Sequence, residues 1–398
     1  MASMAIEPNL QFPQRRLRLG IVTETYPPEI NGVALTIARW VEGLQRRGHS
    51  VQLIRVRQGD EPGPVDTLDT LCLPGFRIPG YPQLQGGWPA MTALSGAWRR
   101  SRPDLLHIVT EGPLGYSALR AARKLAIPVS TSFHTNFHGY SRHYHLGWLA
   151  TPIMAYLRHF HNQGVQTLVP TAELADQLQS IGFLRTQVLA RGVDTGLFSP
   201  QRRDPALREA WGVAPDAPAV LYVGRLAAEK NLDLAITAFQ AMRQQRPNAR
   251  LVLVGDGPLT PRLRARHPEF VYCGMRQGED LATHYASADL FLFPSLTETF
   301  GNVILEAMAS GLAIAAFDYA AAREHVATGR SGALAPFDDA AQFVDAAAAL
   351  VRDLDALRRM GQQARQTMLQ LDSERVYDRL ETLFLKAMTG ENPCITAC

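Results

Sequence analysis

Two glutamates eight positions apart, Glu298 and Glu306, frame the run Glu-Thr-Phe-Gly-Asn-Val-Ile-Leu-Glu, directly after the apolar stretch Leu290–Pro294. The pattern predicts a strand, a loop and a helix. Gly301 and Asn302 fall at the helix start, where unpaired amides and the positive end of the helix dipole favour an anion such as a diphosphate. About one turn further in, Glu306 can accept two hydrogen bonds from the vicinal hydroxyls of a ribose. Glu298, at the mouth of the loop, can accept from the hydroxyls of a transferred sugar. Taken alone, such a pair is commonly a solvated helix face. The flanking Phe300-Gly301-Asn302 and Ala307-Met-Ala-Ser-Gly311 give it its weight.

Four further segments carry chemistry-bearing residues, each just after an apolar run. The first run leads into Thr23-Glu-Thr-Tyr-Pro-Pro-Glu-Ile-Asn31-Gly32-Val33. Val129–Phe133 leads into His134-Thr-Asn-Phe-His138, followed by His143 and His145. The four-residue spacing of His134 and His138 invites a metal reading. It lacks the intervening Glu of HExxH, and the strand before His134 makes a shared helical face doubtful. Ala219–Val223 leads into Gly224-Arg225-Leu-Ala-Ala-Glu-Lys230, in a chain with only three lysines, Lys124, Lys230 and Lys386. An Arg/Lys pair is otherwise a surface feature. Leu251–Val254 leads into Gly255-Asp-Gly257-Pro, and Cys273-Gly274-Met275 follows.

The elements that must position these residues alternate along the chain as strand-length apolar runs and longer helical patterns, the mark of parallel α/β units. Strands are predicted at Leu17–Thr23, Val51–Val56, Leu105–Val109, Val129–Phe133 and Thr167–Pro170. Val33, Ile37, Val41 and Leu44 share one face of a helix over Gly32–Arg47. Pro74–Pro89 reads as an irregular loop. After Gly192–Pro200 the alternation restarts with strands at Ala219–Val223, Arg250–Val254 and Leu290–Pro294, and helices from about Leu232 and after Gly301. Such a repeat implies two doubly wound domains, with ligands beyond the carboxyl ends of the strands. We expect one domain over 15–196, joined by a crossing C-terminal helix at 373–388, and a second over 197–372.

Together the motifs resemble the retaining GT-B transferases of glycosyltransferase family 4, over roughly Leu17–Leu383. The glutamate run is similar to the family's E-x7-E region, and Gly224–Lys230 to its Gly-Arg-Leu-x-x-x-Lys, whose Arg and Lys hold the donor diphosphate. Pro27–Val33 resembles the Pro-Pro-x-x-Gly-Gly-Val loop beside the donor phosphate, with Asn31 in place of the first Gly. Asn tolerates left-handed backbone better than most residues. His134 matches the histidine that contacts the transferred sugar, and its segment looks like that of lipid-directed members, including GDP-mannose-dependent α-mannosyltransferases and sulfolipid synthase-like enzymes. Gly255 matches the Gly-x-Gly-Pro turn; Gly274 and Met275 fall where the family holds the nucleotide base.

The resemblance implies two Rossmann-like domains facing each other across a cleft, the first taking the acceptor and the second a sugar nucleotide. His134, Arg225, Lys230 and Glu298 would be catalytic. Asn31, Gly32, Val33, Gly255, Gly274, Met275, Phe300, Gly301, Asn302, Val303 and Glu306 would bind the donor. It also implies front-face attack with retention, in which the leaving diphosphate helps deprotonate the acceptor hydroxyl and neither metal nor other cofactor is needed. The donor expected is GDP-mannose, with a UDP-sugar as the alternative, and the acceptor a lipid or glycan hydroxyl.

Composition bounds these readings. A chain of 398 residues exceeds one hydrophobic core. At 46% hydrophobic and 19% charged residues it has a globular balance, and no apolar run is long enough to span a bilayer. The polar start without an apolar h-region points to the cytoplasm. Four cysteines without CxxC spacing suggest neither a disulfide framework nor a zinc site. Up to Ser199 there are 19 Lys and Arg against 13 Asp and Glu; beyond it, 21 against 24. The basic first half suits peripheral contact with an anionic membrane face or an acidic acceptor, and nothing in it resembles a nucleic-acid module.

Competing classes lack their marks. An NAD-dependent oxidoreductase needs GxGxxG, and Gly255-Asp-Gly257-Pro-Leu-Thr260 lacks the third glycine. No GxxxxGK[ST] is present, and Asp353-Leu-Asp355 lies in an amphipathic helix rather than after a strand. A phosphorylase would need a pyridoxal-binding lysine. A non-catalytic sugar-nucleotide-binding protein of the same fold would not be expected to retain His134, Arg225, Lys230 and Glu298 together.

Overall fold

Parallel strands buried on both faces are usually runs of apolar residues, as Ala219–Val223, Leu290–Phe293 and Ala313–Phe317 are here. Val129–Ser132 and Gln166–Val169, in contrast, also bury Ser130, Thr131, Ser132, Gln166 and Thr167. The structure, a computed structural model, describes residues 15–389 other than 30, 58–68, 79–80, 135–146 and 299. Strands β1 (Arg18–Thr23), β2 (Ser50–Val56), β3 (Thr70–Leu73), β6 (Leu105–Ile108), β7 (Val129–Ser132), β8 (Gln166–Val169) and β9 (Thr186–Val188) form one parallel sheet. Its order is β3-β2-β1-β6-β7-β8-β9. Strands β10 (Ala219–Val223), β11 (Arg250–Val254), β12 (Val271–Gly274), β13 (Leu290–Phe293), β14 (Ala313–Phe317) and β15 (Gly332–Ala335) form a second. There the order is β12-β11-β10-β13-β14-β15. Each order reverses beside its first strand, β1 or β10, so the loops that follow these strands and their neighbours are where ligands bind in such sheets.

The segment expected to be an irregular loop is instead a small antiparallel ribbon of β4 (Gly75–Ile78) and β5 (Tyr81–Gly87). Its Pro and Gly content reads as a break, but the glycines let the chains pair closely. A Cβ at Gly86 would lie 2.7 Å from the Phe76 ring, and one at Gly75 would lie 2.9 Å from the Gly86 carbonyl oxygen.

The Gly32–Arg46 helix packs Ile37, Trp40, Val41 and Leu44 onto the first sheet, as its 3.6-residue periodicity requires. Val376, Tyr377, Leu380, Leu383, Phe384 and Ala387 of the final helix, Ser373–Thr389, join the same cluster. Each large apolar side chain so buried contributes about 1.5–3 kcal/mol. The chain thus ends against the sheet it began with. Buried His107 of β6 bonds Ser130 Oγ at 3.1 Å and Ser132 Oγ at 2.7 Å, with Trp40 and Phe384 rings beside it. Burial holds its pKa down at about 3, so it stays neutral.

Candidate active site

The loop after β1 is organised by Asn31. Its Oδ1 accepts from the Val33 amide at 3.0 Å and the Ala34 amide at 2.8 Å, and its Nδ2 donates to Thr25 Oγ1 at 2.7 Å. The backbone there is extended, with φ −143°, so the position needs no left-handed conformation. Asn31 is a helix cap, and the Val33 amide is committed to it.

In the second half, three loops lie side by side after β10, β11 and β12. Gly255, at φ +129°, could carry no side chain: a Cβ would stand 2.0 Å from the Gly224 carbonyl oxygen. Its amide donates to the Gly274 carbonyl at 2.8 Å, and Met275 beyond it is exposed. Lys230 Nζ lies 2.5 Å from Glu298 Oε1, which also accepts from Ser295 Oγ at 2.7 Å. Two residues expected to be catalytic therefore meet directly. Arg225 does not join them: it is exposed and turns to Glu229, four residues on.

Gly301, at φ +96°, opens the Asn302–Ala309 helix, which has no side-chain cap at its start. A Cβ at Gly32 would lie 3.7 Å from Asn302 Nδ2, so the starts of two helices from the two halves face each other. Between them stands Arg191, a residue the sequence reading did not single out. Its Nη1 donates to Asn302 Oδ1 at 3.2 Å and to the Gly32 carbonyl at 3.4 Å. Nη2 lies 3.5 Å from His134 Nδ1, and the guanidinium carbon is 5.2 Å from the centre of the Phe300 ring. Arg191 thus gathers His134, Gly32, Phe300 and Asn302 around one group. Burial lowers its pKa to about 10, which still leaves it charged at neutral pH. Burial first, and then the Arg191 charge, hold His134 well below the usual histidine range.

Glu306 is buried, and both of its oxygens have partners. Arg39 Nη2 lies 3.3 Å from Oε1, and the Tyr285 hydroxyl donates to Oε2 at 3.2 Å. Desolvation raises its pKa and the Arg39 charge lowers it. Val303 is partly buried one residue into the same helix. Arg39 and Tyr285 also went unnoticed in the sequence. The available signal for Arg191 is a charged residue between apolar Leu189 and Val193 just after a strand; Arg39 reads only as the polar face of an amphipathic helix.

Two carboxylates occupy the carboxyl ends of the first sheet. Glu24 Oε1 accepts from the Gly87 and Leu114 amides at 3.2 and 3.1 Å, and burial pushes its pKa up to about 7. Glu111 Oε1 lies 3.1 Å from His161 Nε2, whose Nδ1 is 2.8 Å from Thr131 Oγ1. Glu24 directly follows β1 and Glu111 lies three residues past the end of β6, a signal that could have found both. Among the described residues no three His, Cys, Asp or Glu side chains gather as a metal site. His138, His143 and His145 lie outside the described residues.

Residues 30–197 match the family described as Glycosyltransferase Family 4, and residues 217–353 match Glycosyl transferases group 1. A GDP-mannose-dependent alpha-mannosyltransferase of Mycobacterium tuberculosis is 35% identical over 85% of this chain and 89% of its own length. A sulfoquinovosyl transferase of Arabidopsis thaliana is 28% identical over 78% of this chain and 61% of its length. Sucrose-phosphate synthase from Thermosynechococcus elongatus superposes with a TM-score of 0.73 at 18% identity, covering 94% of this chain and all of the other (100%), which shows the fold. With near full-length kinship at 35% identity and GT-B topology in both sheets, the chain belongs to glycosyltransferase family 4.

Proposed function

We propose that this glycosyltransferase moves mannose from GDP-mannose to a hydroxyl of a glycolipid, with retention at the anomeric carbon and without a divalent metal. The observation that carries the donor reading is the similarity to a GDP-mannose-dependent mannosyltransferase over most of both chains. The direct pairing of Lys230 with Glu298, and the uncapped start of the helix that carries Asn302 and Glu306, support a sugar nucleotide held on the second half. In this reading Glu306 takes the ribose hydroxyls and Glu298 those of the mannose. Lys230, Arg225 and the amides at Phe300–Asn302 stabilise the charge that develops on the diphosphate as the glycosidic bond breaks, the electrostatic contribution that usually dominates catalysis. The departing phosphate oxygen takes the acceptor proton, so no enzymic nucleophile is required. His134, held neutral by its burial, offers a ring N–H or a lone pair to the sugar without bringing a charge beside the anomeric carbon.

The first half would take the acceptor, at the carboxyl ends of β1 and β6. Its excess of basic residues supports docking at an anionic membrane face, and among the described residues no helix is long and apolar enough to cross a membrane. The test is a panel of GDP, UDP and ADP scored by thermal shift, followed by transfer assays with the matching sugars in excess EDTA. GDP should give the largest shift, and GDP-mannose should turn over undiminished by chelation. A larger shift with UDP would overturn the donor, and loss of activity restored by magnesium would overturn the metal-free mechanism.

A further inference from the structure

Arg191 is only 5% exposed. Among the described residues no carboxylate stands within ion-pair distance of it, and its Nε has no hydrogen-bond partner. Its three polar contacts, at 3.2, 3.4 and 3.5 Å, are long for a guanidinium, whose bonds to anionic oxygen run at about 2.7–2.9 Å. A buried cation left in this state is destabilising, because removal from water is offset by no ion pair in contact, only by the charge of Glu298 at a distance. Its surroundings add to the positive potential: the uncapped start of the Asn302–Ala309 helix lies on one side and the start of the Gly32–Arg46 helix on the other. His134, on the third side, also has an unpartnered ring nitrogen, Nε2, shut off from solvent. Charge and unmet donors together call for an anion with several oxygens.

We infer that Arg191 is a phosphate-binding residue of the donor site, supplied by the first half of the chain while Lys230 is supplied by the second. The inference rests on the sugar-nucleotide reading and extends it by one residue. A phosphate oxygen replaces the Asn302 amide oxygen as partner of Nη1, and the planar fork of the guanidinium suits two oxygens of one phosphate. The contact strengthens as the sugar departs and negative charge collects on the diphosphate, so Arg191 acts on turnover as well as on affinity. It also makes phosphate binding depend on both halves of the chain being in place.

The experiment is calorimetric titration of the full-length protein and of Arg191→Met and Arg191→Lys with GDP and with guanosine, which lacks the phosphates. Arg191→Met should weaken GDP by about tenfold to a hundredfold while leaving guanosine affinity unchanged. Arg191→Lys, which keeps the charge but loses the fork, should fall between it and the wild type. Because a buried arginine can matter for folding, the lysine variant is read by the same criterion where the methionine variant does not fold. Should the wild type prefer UDP, the comparison is UDP against uridine. Equal losses for nucleotide and nucleoside would make Arg191 a structural bridge and overturn the assignment, as would unchanged GDP affinity. A wild type that binds neither GDP nor UDP would overturn the donor reading and this assignment with it.

Discussion

Replacing Arg39 by methionine tests whether Glu306 must be held as an anion to work. Arg39 Nη2 approaches Glu306 Oε1 at 3.3 Å, the arginine about one-third exposed (32%) and the glutamate side chain at 10%. An exposed pair is worth about 0.2–1 kcal/mol, and removing one partner of a fully buried pair costs about 3–5 kcal/mol. This half-buried pair falls between, at about 2 kcal/mol, roughly thirtyfold in an equilibrium constant. The effect should appear in nucleotide affinity, because a protonated Glu306 has lost acceptor capacity for ribose. Its direction with pH follows from the causes. Desolvation already raises the Glu306 pKa and Arg39 opposes that rise, so Arg39→Met raises it further. Binding that needs the ionised carboxyl is then retained at high pH and lost as pH falls through the raised pKa. Calorimetric titration with GDP across pH should show a steeper acid-side loss in Arg39→Met than in the wild type. In Glu306→Gln that dependence should vanish, and adding Arg39→Met to it should cost little more. Fully multiplicative losses in the double variant would refute the reasoning, since the arginine would then act independently of the carboxylate.

The remaining predictions address other parts of the molecule. Glu298→Gln should lower kcat by about tenfold to a hundredfold with a smaller change in donor affinity, read from steady-state kinetics; a pure KM effect would place Glu298 on the nucleotide rather than the sugar. Phe384→Ala, at a fully buried position of the crossing helix, should cost about 3–5 kcal/mol, lowering the melting temperature by on the order of 10 °C; an unchanged transition would mean that the helix adds little to the first half. Sedimentation with anionic vesicles should succeed at low salt and fade as salt screens exposed charge over about 10 Å at 0.1 M. Equal binding to neutral vesicles would remove the electrostatic account.

What the sequence discloses of this fold is what lies close together along the chain. Ala219–Val223 and Arg250–Val254 are strands as their apolar runs require, and the helix starts just after Gly301 because its glycine and the following buried residues mark it. In the sequence Asn31 reads as a stand-in for a glycine that tolerates left-handed backbone; its extended backbone and its role as a helix cap were not foreseen. Nor was the ribbon over Gly75–Gly87, because Pro and Gly punctuation reads as a turn while the pairing that overrides it comes from a partner strand. Arg39, Tyr285 and Glu306 illustrate the harder limit: 267 positions separate the first from the third. No periodicity in the Gly32–Arg46 helix distinguishes an arginine that meets a carboxylate of the other half from one that meets water. Glu298 and Lys230 were both singled out, yet their direct pairing follows only from β10 and β13 being neighbours in the second sheet.

That same adjacency explains why one short helix carries so much of the site. Asn302 and Glu306 are four residues apart, hence on one face of the Asn302–Ala309 helix. Each meets an arginine of the first half, Arg191 and Arg39 respectively. Six of the eight residues of this helix, Ile304–Ala309, are buried in the second half, so it cannot shift alone without disturbing that core. A ligand that competes for Asn302 or Glu306 therefore acts at once on the start of this helix and on the contacts joining the halves. Affinity and relative placement of the halves become linked quantities, because a ligand can shift an arrangement only by as much as it binds one arrangement better than another. The two arginines are where that difference is expressed, and their unequal surroundings separate their parts. Arg39 already has a carboxylate within 3.3 Å, whereas Arg191 has none within ion-pair distance, which is the place the proposed diphosphate would fill.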